Sequence, residues 1–143
     1  MKNDYVNFNY YHKMSILCFY HANCVDGFFS ALAVYLAKGS ENTIFIPVHL
    51  NRDDTYKKLM ETKETYENVA EIYFVDVIGP DDSCIKIADA YPNAPVIILD
   101  HHITSMKYLL GLVLPTNLEI KMNIEHSGAI LCYDYFKLND DLR

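Results

Sequence analysis

The sequence predicts a mostly parallel α/β sheet of about five strands with helices on both faces, a Rossmann-like layering. Three observations carry this. Apolar runs of strand length alternate with helical patterns along the chain. The runs are continuously apolar rather than alternating, as in strands buried on both faces. Turn and cap residues separate them at the spacing of β-α units.

Ser15 to Tyr20 reads as the first buried strand. Asp26 to Lys38 reads as a helix, apolar on most faces, with Gly39 as its C-cap. Thr43 to Val48 is a second β-rich run, and Asp54 to Thr62 a weaker, polar helix. Ile72 to Val77 is the third strand. Asp81 to Tyr91 is an amphipathic helix, with Pro92 and Pro95 behind it. Val96 to Leu99 is the fourth strand. Beyond it, Met106 to Leu110 reads as helical and Gly111 to Leu114 as a short strand. Ser127 is an N-cap for a last helix reaching about Leu138. No repeat or linker divides the chain, so residues 15–143 read as one domain behind an N-terminal extension, 1–14.

Composition narrows the function classes. The chain has 143 residues, of which 51% are hydrophobic and 22% charged, so disorder is excluded. The net charge is −7 and the basic residues are scattered, which argues against a duplex nucleic acid partner. No run is long and apolar enough for a membrane span, and Met1 to Lys13 is polar and aromatic, without the apolar core of a signal peptide. Cys18, Cys24, Cys84 and Cys132 form no CxxC pair and read as reduced thiols of a cytoplasmic protein.

In parallel sheets ligands bind outside the carboxyl ends of the strands. The residues at and just past each predicted strand end are therefore informative. His21 and then Asp26 come after the first strand, His49 after the second, Asp76 ends the third, and Asp100-His101-His102 come after the fourth. Imidazoles and carboxylates on one rim suit a hard divalent cation, and the lack of paired thiolates disfavours structural zinc. Such a rim has the donors for two ions roughly 4 Å apart sharing a carboxylate, which would activate a water and screen charge on an attacked phosphorus. Taken singly, each residue has an ordinary reading: Asp26 as an N-cap, Asp76 as a turn residue, a lone His as a surface or core residue.

The joint pattern resembles the DHH phosphoesterase superfamily. Val96-Ile-Ile-Leu-Asp-His-His102 is similar to its signature motif, and His21-Ala-Asn-Cys-Val-Asp-Gly27 with Ser30-Ala31 to its first motif. The subgroup it resembles most has a first motif reading His-Gly-Asn-Cys-Thr-Asp-Gly. Tyr73-Phe-Val-Asp76 resembles the second motif, and Ser127-Gly-Ala129 with Tyr133-Asp-Tyr-Phe136 resembles the helix before the fourth.

The resemblance implies a metal-dependent phosphoester hydrolase. It implies metal ligation by His21, Asp26, Asp76 and His101, with Asp76 as the bridging carboxylate. Asp100 would hold the site from behind, and His102 would face the phosphate. Asp76, Asp100, His101 and His102 are thus the catalytic candidates. Asn23, Ser127 and His102 are candidates for substrate contact. The implied cofactor is Mn²⁺, or Mg²⁺ or Co²⁺, as two ions where the site is complete. The implied substrate is a small phosphorylated molecule or a short single-stranded oligonucleotide.

The sequence departs from the pattern in two ways. Asn23 and Cys24 stand where many relatives carry a first-motif aspartate; Asn23 offers at most a weak carbonyl ligand, and Cys24 is a thiolate ligand poorly suited to a hard cation or, as the favoured reading, a small loop residue. The fourth-motif Asp and substrate domain of longer relatives are not matched, and Asp140 and Asp141 read as solvated charge. The alternative is therefore a shortened, inactive domain that binds metal, nucleotide or a partner protein. A homodimer or partner subunit would be another source of the missing parts. A flavodoxin-like or nucleotide-binding module predicts a Gly-rich phosphate loop, and residues 21–27 hold one glycine. His49 stays outside the ligand set, and His12 and His126 read as structural or solvent-facing.

Overall fold

The computed structural model describes residues 14–49, 57, 61–62, 65–80 and 82–138. Five strands form one parallel sheet: β1 Ser15–His21, β2 Thr43–Val48, β3 Val69–Val75, β4 Val96–Asp100 and β5 Leu118–Met122. Their spatial order is β2-β1-β3-β4-β5. Four helices complete the described elements: α1 Val25–Lys38, α2 Ser83–Ala90, α3 Ile103–Leu109 and α4 Gly128–Tyr135.

Both faces of the central strands are covered, which explains their continuous apolar sequence. Leu17, Phe19, Ile72, Phe74, Val96 and Ile98 point to one core, with Ile87 and Ala88 of α2 and Leu109 of α3. Phe19 and Phe74 stack there at 4.6 Å between ring centroids. The intervening residues Cys18, Tyr73, Val75, Ile97 and Leu99 point to the other core, with Ala31, Ala33 and Val34 of α1 and Cys132 of α4. Side chains alternate faces along a strand, so each central strand feeds both layers.

The helix ends follow the expected chemistry. Gly39 caps α1 at φ 77, and its N–H donates to Tyr35 at 2.8 Å. The Ser127 hydroxyl caps α4 by accepting from the Ile130 N–H at 3.3 Å. α4 ends at Tyr135, short of the expected Leu138. Of the weak helix expected over 54–62, Lys57, Glu61 and Thr62 are helical, and the remainder lies outside the described residues. The N-terminal extension as far as Lys13, His12 and the pair Asp140-Asp141 also lie outside them.

One strand was misplaced by sequence reasoning. Residues 111–114 form no strand; the fifth strand is Leu118–Met122. Its pattern Leu-Glu-Ile-Lys-Met alternates apolar and polar because it is an edge strand with one face open, unlike the continuously buried runs of the sheet's centre. Asn117 anchors its start, with its side-chain amide donating to the carbonyls of Ala88, Tyr91 and Ala94 at 2.9–3.1 Å.

No helix is long and apolar enough to cross a membrane among the described residues. The four cysteines are unpaired thiols.

Candidate metal centre

The strand order reverses direction between β1 and β3, the place where doubly wound sheets open a crevice at their carboxyl edge. His21 ends β1, Asp76 comes directly after β3, and Asp100 ends β4 before His101 and His102. The sheet thus brings the three strongest sequence signals to one point.

Asp76 is the centre of the group. It is 0% exposed, at φ 59, a left-handed conformation that Asp adopts more readily than most residues. Its N–H donates to Leu99 at 2.8 Å, so the chain leaves the sheet with the carboxylate turned into the crevice. Neither carboxylate oxygen accepts a hydrogen bond of normal geometry. Oδ1 lies 3.1 Å from His101 Nε2, and Oδ2 lies 3.4 Å from His21 Nδ1. That His21 nitrogen is itself buried without a hydrogen-bond partner.

Asp100, also 0% exposed, organises the two histidines. Its Oδ1 accepts from the His101 N–H at 2.8 Å, the His102 N–H at 3.3 Å and His102 Nδ1 at 2.7 Å. A carboxylate oxygen accepts from Nδ1–H, so this contact orients the His102 ring.

Asp26 does something sequence reasoning did not foresee. It does not cap its own helix: Cys24 is the N-cap of α1. Its Oδ2 and Oδ1 instead accept from the Gly128 and Ala129 N–H groups, both at 2.8 Å, at the start of α4. Oδ2 also lies 3.3 Å from His101 Nε2. The carboxylate therefore ties α4 to the site and satisfies two helix-end donors that have no intrahelical partner.

Two glycines permit this packing. A Cβ on Gly27 would lie 2.2 Å from the His21 carbonyl oxygen, and one on Gly128 would lie 2.7 Å from Asp76 Oδ1. Both glycines stood in the motifs, but nothing in their spacing announced these contacts.

Electrostatics agree with the geometry. Burial pushes the Asp76 carboxyl above its ordinary range and the Asp26 charge adds to this, while His102, the Cys24 thiol and His101 pull the other way without prevailing. For His102, burial disfavours the imidazolium, but the Asp100 hydrogen bond and the charges of Asp100, Asp76 and Asp26 outweigh it and raise its pKa. The crevice is an anionic pocket short of positive charge.

The donors fall into two groups that share Asp76. One ligand atom each from Asp76, His101 and His102 lie within 4.8 Å of one another, and so do those from His21, Cys24 and Asp76. These residues can hold a metal ion. The buried, unpartnered Asp76 oxygens fit a cation: an anion buried without hydrogen bonds costs several kcal/mol, which a coordinated ion would offset. Asp26 stands beside the first group through His101, with each of its oxygens already accepting a backbone hydrogen bond.

The remaining candidates sit at the rim. Asn23 is exposed, at φ 57, in the turn between β1 and α1. Ser127 is used as the α4 cap. His49 lies just past β2 at the same edge and belongs to neither donor group. His126 is exposed, 3.8 Å from Asp134. A cleft of about 520 Å³ opens next to the crevice, lined by Tyr20, Asn23, Cys24, Val25, Phe28 and Phe29.

Compared with protein-family models and with curated proteins, the chain matches none.

Proposed function

We propose that this chain is a metal-dependent phosphoester hydrolase of the DHH phosphoesterase type, acting on a small phosphorylated or short single-stranded nucleotide substrate. The observation that carries this reading is Asp76: a buried carboxylate with two unpartnered oxygens, facing His21 and His101, at the switch point of a parallel sheet. Support also comes from the resemblance of residues 21–27, 73–76, 96–102 and 127–136 to the family's motifs.

Asp76, His101 and His102 would hold one Mn²⁺-class ion, and His21 with Asp76 would contribute to a second. Bound there, divalent ions supply an acidified water and neutralise charge on a phosphoryl group. The chain's own residues do the rest. Asp100 holds the His102 ring through Nδ1, at 2.7 Å. Asp26 locks α4 against the site and keeps His101 oriented. Tyr20, Phe28 and Phe29 line the adjoining cleft, and their rings offer stacking surfaces for a nucleobase.

The test is hydrolysis of bis-p-nitrophenyl phosphate by metal-free protein on addition of Mn²⁺, with Asp76→Ala and His101→Ala alongside. Turnover that needs metal and is lost in both variants supports the reading. Metal binding by calorimetry without turnover would replace it with a binding domain, and absence of both would overturn the site.

A further inference from the structure

We infer that the crevice holds two chemically different metal centres, and that the one formed by His21, Cys24 and Asp76 takes a borderline, thiolate-accepting divalent ion of the zinc and cobalt class. This rests on the proposed function's premise that the rim binds metal, and it assigns Cys24 to the ligand set rather than to the loop.

The placement of Cys24 comes from the turn before it. β1 ends at His21, and Asn23 at φ 57 reverses the chain so that α1 begins beside the strand it has just left. Gly27 lets α1 approach the His21 carbonyl, where a Cβ would clash at 2.2 Å. Cys24 becomes the N-cap of α1, yet its side chain makes no capping hydrogen bond. One ligand atom each of His21, Cys24 and Asp76 fall within 4.8 Å of one another.

A cysteine near a histidine is common without a metal. Here the third member supplies independent support. Asp76 is fully buried, neither of its oxygens accepts a hydrogen bond of normal geometry, the Cys24 thiol lies close enough to lower its pKa, and the facing His21 Nδ1 is buried and unpartnered as well. Three donors of different kinds, nitrogen, sulfur and oxygen, converge where two of them have no other partner. Three protein ligands with an open fourth position is the arrangement of catalytic zinc sites. A thiolate biases such a site toward zinc or cobalt and away from magnesium and manganese. The neighbouring group, Asp76 with His101 and His102, has no sulfur and keeps the harder preference.

On binding, the Cys24 S–H bond breaks, its proton leaves to solvent, and the sulfur lone pair goes to the ion, with no change of oxidation state. The other thiols do not compete. Cys18, Cys84 and Cys132 are at most 1% exposed. Burial pushes the Cys84 thiol up to about 11 and the Cys132 thiol up to about 12.

The experiment adds Co²⁺ to the metal-free full chain and follows the near-ultraviolet thiolate-to-cobalt charge-transfer band. Calorimetry with Co²⁺ and Mn²⁺ runs in parallel. The band is expected in the parent chain and is expected to be lost in Cys24→Ser, a variant that keeps a residue favoured at helix N-caps. The same variant should still bind Mn²⁺. Alkylation of Cys24 by iodoacetamide provides a second readout: Zn²⁺ should suppress it and Mg²⁺ should not. Co²⁺ binding without the band, or a band that survives in Cys24→Ser, overturns the inference while leaving the hydrolase reading intact. Failure of the parent chain to bind any of these ions overturns both.

Discussion

Asp76→Asn should stabilise the metal-free chain while abolishing its response to metal. Asp76 is 0% exposed and its oxygens accept no hydrogen bond of normal geometry, so the nearby His102, Cys24 and His101 only partly compensate its ionised form. Its carboxyl titrates above the ordinary range because of burial and the Asp26 charge. The folded chain therefore holds that proton more tightly than the unfolded chain does. Metal-free stability falls as pH rises from the ordinary value of 3.8 through the raised one, and above it the whole penalty stands.

Asn is neutral, nearly isosteric and tolerant of φ 59, so at pH 8 it removes the charge without straining the backbone. An uncompensated buried polar group costs about 1–3 kcal/mol. At this chain length each kcal/mol moves Tm by roughly 3–5 °C, so the variant should melt about 3–15 °C higher than the parent. In the parent, a divalent ion at about a hundred times its Kd adds ~2.7 kcal/mol, a rise of roughly 10 °C that the variant should lack. Thermal melts at pH 8, with chelator and with Mn²⁺, read both effects. A variant that melts lower than the parent and still rises with Mn²⁺ would refute the assignment of Asp76 as an only partly compensated anion at the heart of a cation site.

Single contacts give three further predictions. Gly128→Ala puts a Cβ 2.7 Å from Asp76 Oδ1, and since Asp76 is buried the helix must move; overpacking of this kind costs about 1–3 kcal/mol, read in a denaturant melt. Asn117→Ala removes the amide that ties the start of β5 to the carbonyls of Ala88, Tyr91 and Ala94 and should cost about 1–3 kcal/mol in the same melt, with metal affinity unchanged. Phe28→Ala removes an exposed ring from the cleft wall and should raise KM for a dinucleotide by about tenfold, matching a base stack of ~1–3 kcal/mol, while turnover of bis-p-nitrophenyl phosphate stays near that of the parent.

Much of the fold is readable from the residues because the chain repeats one physical device. A strand segment buried on both faces must be apolar, and the buried runs Leu17–Phe19 of β1, Ile72–Val75 of β3 and Val96–Leu99 of β4 are. The edge rule for parallel sheets then locates His21, Asp76 and Asp100-His101-His102 without any coordinates. β5 escapes the same reading because one of its faces is open and its pattern alternates, with Glu119 and Lys121 facing out between Leu118, Ile120 and Met122.

What the sequence determined by itself is the set of groups at the carboxyl edge, since strand ends are set by local apolar runs. Which of those groups meet was decided by the tertiary structure alone. Asp26 reaches Gly128 and Ala129 across a separation of 102 and 103 residues, and no local pattern encodes that pairing. The close approach of α4 to the Asp76 carboxylate depends on Gly128, where a Cβ would lie 2.7 Å from Oδ1. Cys24 became a neighbour of Asp76 through a left-handed turn at Asn23 and the order of β1 beside β3. Donor identity is a property of residues, but proximity and desolvation belong to packing, and packing is what turns these donors into a site.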